Sequence, residues 1–214
     1  MKHNTIKLSL AAALLLITTA SGAQSKHEVR LGIGDMCFET LVWHDQLHKS
    51  YAGTDAGFTF IEDKDYKYTP HFSAEYSYHL FKWMSLGIIV NYQNTSWTRQ
   101  SYNSNDILQG ISNERFFNLA ILPTIRFNYL RREHFGMYSS LSFGLDINGG
   151  SEVNGFGKTA VGAFGADIRL IGLRAGGGPL WAYIEFGALA AMQNTNIMYL
   201  LGSELARAGV SFKF

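Results

Sequence analysis

Hydrophobic and polar positions alternate with a period of two along most of this 214-residue chain, in eight separate segments. Glu28 to Gly34 sets Val29, Leu31 and Ile33 against Glu28, Arg30, Gly32 and Gly34. Phe72 to Leu80 opposes Phe72, Ala74, Tyr76, Tyr78 and Leu80 to Ser73, Glu75, Ser77 and His79. Met84 to Tyr92 opposes Met84, Leu86, Ile88, Val90 and Tyr92 to Ser85, Gly87, Ile89 and Asn91. Phe117 to Tyr129 is the longest: Phe117, Leu119, Ile121, Pro123, Ile125, Phe127 and Tyr129 share one face, Asn118, Ala120, Leu122, Thr124, Arg126 and Asn128 the other. Met137 to Asn148 puts Met137, Leu141, Phe143, Leu145 and Ile147 opposite Tyr138, Ser140, Ser142, Asp146 and Asn148. Ala160 to Leu170 is rich in Gly and Ala, yet Phe164, Ile168 and Leu170 still oppose Asp167 and Arg169. Ala182 to Ala188 sets Ile184 and Phe186 against Tyr183 and Glu185. The last segment opposes Ala208, Val210, Phe212 and Phe214 to Arg207, Gly209, Ser211 and Lys213. Period two over such runs predicts β-strands.

The two faces differ in charge. The apolar faces of all eight segments lack Lys, Arg, Asp and Glu. The opposite faces carry Glu28, Arg30, Glu75, Arg126, Asp146, Asp167, Arg169, Glu185, Arg207 and Lys213, five acids and five bases. A soluble sandwich would also alternate, with its apolar faces turned toward each other. It does not require aromatics at the strand ends, where Tyr78, Trp83, Tyr129, Phe135, Trp181 and Phe214 predict one girdle and Tyr92, Trp97 and Phe117 a second. Aromatic girdles around an apolar band suit a barrel in lipid. Lipid offers no hydrogen-bond partner, so a sheet there must close on itself.

The connections fit that arrangement. Phe81-Lys82-Trp83, the turn around Leu130 to His134, and Ile171 to Leu180 are the shorter joins. Asp35 to Thr69, Trp97 to Arg115, Gly149 to Lys158 and Ala191 to Glu204 are the longer or more polar ones. Short and long joins alternate, as periplasmic turns and external loops do in outer-membrane barrels, which would put both mature termini in the periplasm. Asp35 to Thr69 is long for one loop, so the first two strands are expected to extend past the membrane.

Composition narrows the class further. Met1 to Lys7 is basic, Leu8 to Thr19 apolar, and Ala20-Ser21-Gly22-Ala23 small, the layout of a secretory signal cut after Ala23. The mature domain is then 24–214, and no later run approaches the ~20 apolar residues of a spanning helix. Without Lys2 and Lys7, the 18 basic residues fall to 16 against 17 acidic ones. A balance near zero gives no electrostatic footprint for nucleic acid. The single cysteine, Cys37, excludes an internal disulfide framework.

With the signal, eight alternating strands and a final aromatic at Phe214, the chain resembles the small eight-stranded outer-membrane barrels of the OmpA/OmpX type, grouped as porin-like proteins of Gram-negative cells. The resemblance implies an up-and-down antiparallel transmembrane barrel of eight strands, monomeric, without cofactor, and surrounded by outer-membrane lipids. Its external loops would meet any extracellular ligand or protein. Pro123 departs from the pattern because it removes a ladder hydrogen bond, and a bulge or kink is expected there.

Charges inside a closed barrel must pair, so Glu75, Arg126, Asp146, Asp167, Arg169, Glu185, Arg207 and Lys213 are expected to form a luminal network. That network would fill the barrel or gate small ions, since eight strands enclose room for side chains or one small ligand. His71, Ser73 and Glu75 share a strand face and supply the base, nucleophile and acid of acyl transfer. The His-x-Ser spacing is similar to that of eight-stranded lipid A deacylases, but Ala74 stands where their Asn follows the Ser. A lipid-modifying enzyme is therefore the rival reading, and a periplasmic lipocalin-like binder a second. His44 and His48 have zinc-helix spacing but fall in an expected loop, with Asp45 in place of a catalytic Glu. Gly176-Gly177-Gly178-Pro179 lacks the Lys-Ser or Lys-Thr of a phosphate loop and reads as a turn. His79 on the inner face reads as hydrogen-bonded filling.

Overall fold

Every alternating segment is a strand in the computed structural model, which describes residues 26–34, 49–54, 57–103, 105–150, 161–192 and 204–214. In chain order the strands are β1 (His27–Gly34), β2 (Lys49–Thr54), β3 (Gly57–Tyr68), β4 (Phe72–His79), β5 (Met84–Tyr102), β6 (Leu108–Arg131), β7 (Phe135–Gly150), β8 (Val161–Gly177), β9 (Leu180–Met192) and β10 (Ala206–Lys213). All pairings are antiparallel. Eight strands close a ring in the order β1, β4, β5, β6, β7, β8, β9, β10, with β10 returning to β1. That seam runs from Gly34 opposite Arg207 to Glu28 opposite Lys213, and two further hydrogen bonds join His27 and Phe214. Closure leaves the ring itself without an edge, as lipid requires.

The remaining two strands correct the reading of 35–69. Instead of β1 and β4 extending upward, β2 and β3 form a hairpin, and β3 pairs along the far half of β5. It is β5 and β6 that extend: their ladder runs from Met84 opposite Phe127 to Tyr102 opposite Leu108, with one register shift between Ser101 and Tyr102. The expected loop Trp97 to Arg115 is thus mostly strand, turning at Asp106, whose φ is +58°. At the tip of this extension Ile107, Leu108 and Ile111 are exposed. On β3, Lys64 pairs with Glu62 at 2.8 Å, and this hydrogen bond raises the exposed ammonium above its ordinary value.

Pro123 causes no bulge. Ile121 pairs with Leu145 and Thr124 with Ser142 in one continuous register, so β6 and β7 simply omit the two pairs between. Gly144 supplies the space, since a Cβ there would lie 2.9 Å from the Pro123 ring. The irregularities of the ring fall elsewhere, between Asn128 and Leu130 on β6, between Tyr138 and Ser140 on β7, between Arg169 and Ile171 on β8, and near the tip of β5 between Ser101 and Tyr102. In β8 the bulge turns Leu170 and Ile171 outward in succession, after which Gly172 and Arg174 face in again.

The two faces separate cleanly. Leu31, Ile33, Ile88, Phe143, Leu170 and Val210 stand exposed on the outer wall. The inner wall holds the buried charged and polar side chains, with one apolar cluster of Ile89, Ala120, Leu122 and Leu189. At the Lys26/Phe214 end, His27 stacks on Phe214 at 5.6 Å, and Trp83 stacks on Phe81 and Phe127 at 5.6 and 6.3 Å. Two residues leave the expected girdles: Trp97 and Trp181 point inward and are only 7% exposed. His44, His48, Cys37, the signal segment and the connections 151–160 and 193–203 lie outside the described residues.

Candidate functional site: a charged lumen

Period two delivers one inward side chain per strand at each level, and the closed ring brings them within reach across the lumen. Arg30 on β1 is the hub. Its guanidinium donates to Glu75 at 3.1 Å and Glu185 at 2.7 Å, and to the Tyr138 hydroxyl in a short contact. The Tyr183 ring lies 3.6 Å from its centre, so the cation is covered on one face by an aromatic as well. The Tyr138 hydroxyl in turn donates a hydrogen bond to Glu185 at 2.9 Å. Arg126 takes the other Glu75 oxygen in a short ion pair and approaches Glu28 at 3.7 Å. His79 lies 3.0 Å from Glu28 through Nε2 and bonds Ser85 through Nδ1 at 2.6 Å, which agrees with its reading as filling.

Glu185 joins this group to a second, nearer the loops. Arg207 lies 3.6 Å from Glu185, donates to Asp167 at 2.9 Å and grips Glu204 at 2.7 and 2.8 Å. Arg169 pairs with Asp167 at 2.6 Å and Glu204 at 3.1 Å. Asn91 accepts from Arg207 at 3.1 Å. Asp146 accepts from Asn118 at 2.6 Å. Lys213 reaches inward against the Trp181 ring, its ammonium 4.3 Å from the centroid. All eight residues expected in the network therefore face the lumen, as do Glu28 and Arg30. Isolated charges would be too costly in such an interior, and mutual pairing offsets their desolvation.

Two members escape the alternation. Arg174 lies beyond the β8 bulge, in what reads as a connection, yet resuming the count at Gly172 would find it. Glu204 precedes β10 and is 0% exposed, folded over Gly34, where a Cβ would sit 2.3 Å from its carboxyl carbon. The glycine is needed for that close approach.

His71, Ser73 and Glu75 all turn toward the lumen, buried at 0, 7 and 6% exposure. Glu75 is held by Arg30 and Arg126, and both His71 ring nitrogens lack a hydrogen-bond partner. The barrel wall stands between the Ser73 hydroxyl and any acyl chain outside. Among the described residues no group of His, Cys, Asp and Glu has the geometry of a metal site.

The packing of Tyr138 gives a sharp test of this centre. Its ring lies against Gly172, where a Cβ would fall 2.3 Å from two ring carbons. Gly172→Ala is expected to push the ring off Arg30 and Glu185 and to cost about 1–3 kcal/mol by overpacking. The urea midpoint of the refolded barrel measures it; an unchanged midpoint would show that the ring has room to move.

A closed antiparallel ring of eight strands, apolar outside and ion-paired within, is a β-barrel of outer-membrane type. Neither a family model nor a curated protein matches the chain. Among solved structures it is similar to LpxR from Salmonella typhimurium, with 6% identity over 88% of this chain and 100% of that one, at a TM-score of 0.26.

Proposed function

We propose that this protein is an integral outer-membrane barrel with a structural or surface-interaction role, its lumen filled by ion pairs in place of a pore. The single observation that supports this reading is the continuity of the luminal network. Arg30, Glu185 and Arg207 link its two halves, and Ile89, Ala120, Leu122 and Leu189 fill part of the remaining cross-section. A small barrel occupied in this way has little space for solute. In this orientation the Lys26/Phe214 end faces the periplasm. The β2–β3 hairpin and the extended β5–β6 ribbon stand outside the cell, where a partner can reach them.

Conductance tests the reading. Purified mature barrel in a planar bilayer is expected to show no resolved single-channel steps, and Arg126→Gln to lower thermal stability without opening any. A large rise in current in that variant would make the network a gate, and the structural role would be withdrawn.

A further inference from the structure

At the Lys26/Phe214 end of the lumen the charges do not balance. Arg174 and Lys213 each feel the positive charges of Arg126 and Arg131, and Glu28 is the carboxylate acting on both. Glu28 is already shared. His79 is 3.0 Å away, Arg126 3.7 Å, Arg174 3.8 Å and Arg30 3.9 Å. Arg126 has Glu75 as its close partner, so Arg174 and Lys213 are left poorly served. The Arg174 side chain is 4% exposed, and its Nε and Nη1 have no hydrogen-bond partner. Lys213 is 8% exposed and rests on the Trp181 ring at 4.3 Å, with the Arg174 guanidinium 5.2 Å from the same ring. The rim outside adds Lys26, Lys82 and Arg132 against Glu133.

Buried donors without acceptors are rare, and two cations against one aromatic ring repel each other, a cost that an anion held by both would offset. A guanidinium and an ammonium together suit a group with several charged oxygens, since the planar fork takes two of them and the ammonium a third. We infer that this mouth of the barrel is an oxyanion site, in which Arg174 and Lys213 beside Trp181 bind a phosphate group. Free phosphate and the headgroup of a phospholipid at the rim present the same chemistry; the lipid source rests on the outer-membrane reading above.

The test uses the whole mature barrel refolded in a non-ionic detergent, with the Trp181 indole N–H followed by nuclear magnetic resonance. One titration is made with inorganic phosphate and another with a short-chain phosphatidylglycerol, each against sodium chloride at equal ionic strength. A saturable shift of the Trp181 signal is expected that chloride does not reproduce. A response to phosphate identifies a free oxyanion, and a response to the lipid alone identifies a headgroup; either supports the site. Arg174→Gln and Lys213→Gln are each expected to weaken binding at least tenfold, with Lys82→Gln on the exposed rim unchanged. If either luminal variant fails to fold, the wild-type titration still decides. The same response in chloride, or folded luminal variants that bind as the wild type does, would overturn the proposal.

Discussion

Arg30→Met is expected to destabilise the barrel by about 3–5 kcal/mol, the cost of leaving buried carboxylates without their cation. Three features of the site set that size. The Arg30 side chain is 2% exposed, it holds Glu185 at 2.7 Å and Glu75 at 3.1 Å, and among the described residues the next cation to Glu185 is Arg207 at 3.6 Å. Methionine keeps much of the arginine volume, so the loss reports charge in preference to a cavity. Urea unfolding of the protein in lipid vesicles, followed by the gel migration of folded and unfolded forms, measures the change. Adding Glu185→Gln should recover part of the loss, because it removes the carboxylate that loses its closest cation, whereas Glu75 keeps Arg126. A loss below about 1 kcal/mol, the range of solvated pairs, would mean that water reaches these carboxylates and that the lumen is open.

The outer wall carries the second large effect. Leu31 is 56% exposed at the middle of β1, paired with Val210 and Ala74, and an arginine there would stand in the apolar band. Leu31→Arg is expected to cost about 2–4 kcal/mol in a bilayer, the range for a cation at the midplane of a barrel's lipid face. The same exposed substitution in water would change stability by no more than about 0.5 kcal/mol. The two environments thus give different answers at a residue that touches little protein. Vesicle-based unfolding near zero cost would remove the membrane reading, while leaving the luminal geometry as it stands. Arg30 and Leu31 are adjacent in sequence, and their variants probe opposite sides of one wall.

Much of this was legible along the chain. Period two assigns each side chain of a strand to one face, and the absence of charge from one face in all eight segments separates inside from outside without any pairing information. Glu75, Arg126, Asp167, Arg169, Glu185 and Arg207 could therefore be placed in one lumen from their parity alone. The failures occur where parity breaks or where no strand was visible. Arg174 is hidden behind two consecutive outward residues, Leu170 and Ile171, and Glu204 lies before the strand it serves. Aromatics at strand ends usually meet the interface, which assigns Trp181 and Trp97 to the girdles, yet their parity with Tyr183 and Asn91 puts them inside. The β2–β3 hairpin is not visible in the alternation because Glu62 and Lys64 interrupt the face that Phe58, Phe60, Tyr66 and Tyr68 share.

Alternation, a local property of successive Cβ atoms, taken with the strand-end aromatics and the alternating short and long joins, was enough to point to a closed sheet with an ionic interior and an apolar exterior. The partners were not determined by it, because shear, bulges and strand length decide which levels meet across the lumen. Only the assembled ring shows Arg30 bridging Glu75 and Glu185, Glu204 folding over Gly34, and Arg174 sharing Trp181 with Lys213. Those contacts join residues far apart in the chain, and no local pattern fixes a distance across a barrel.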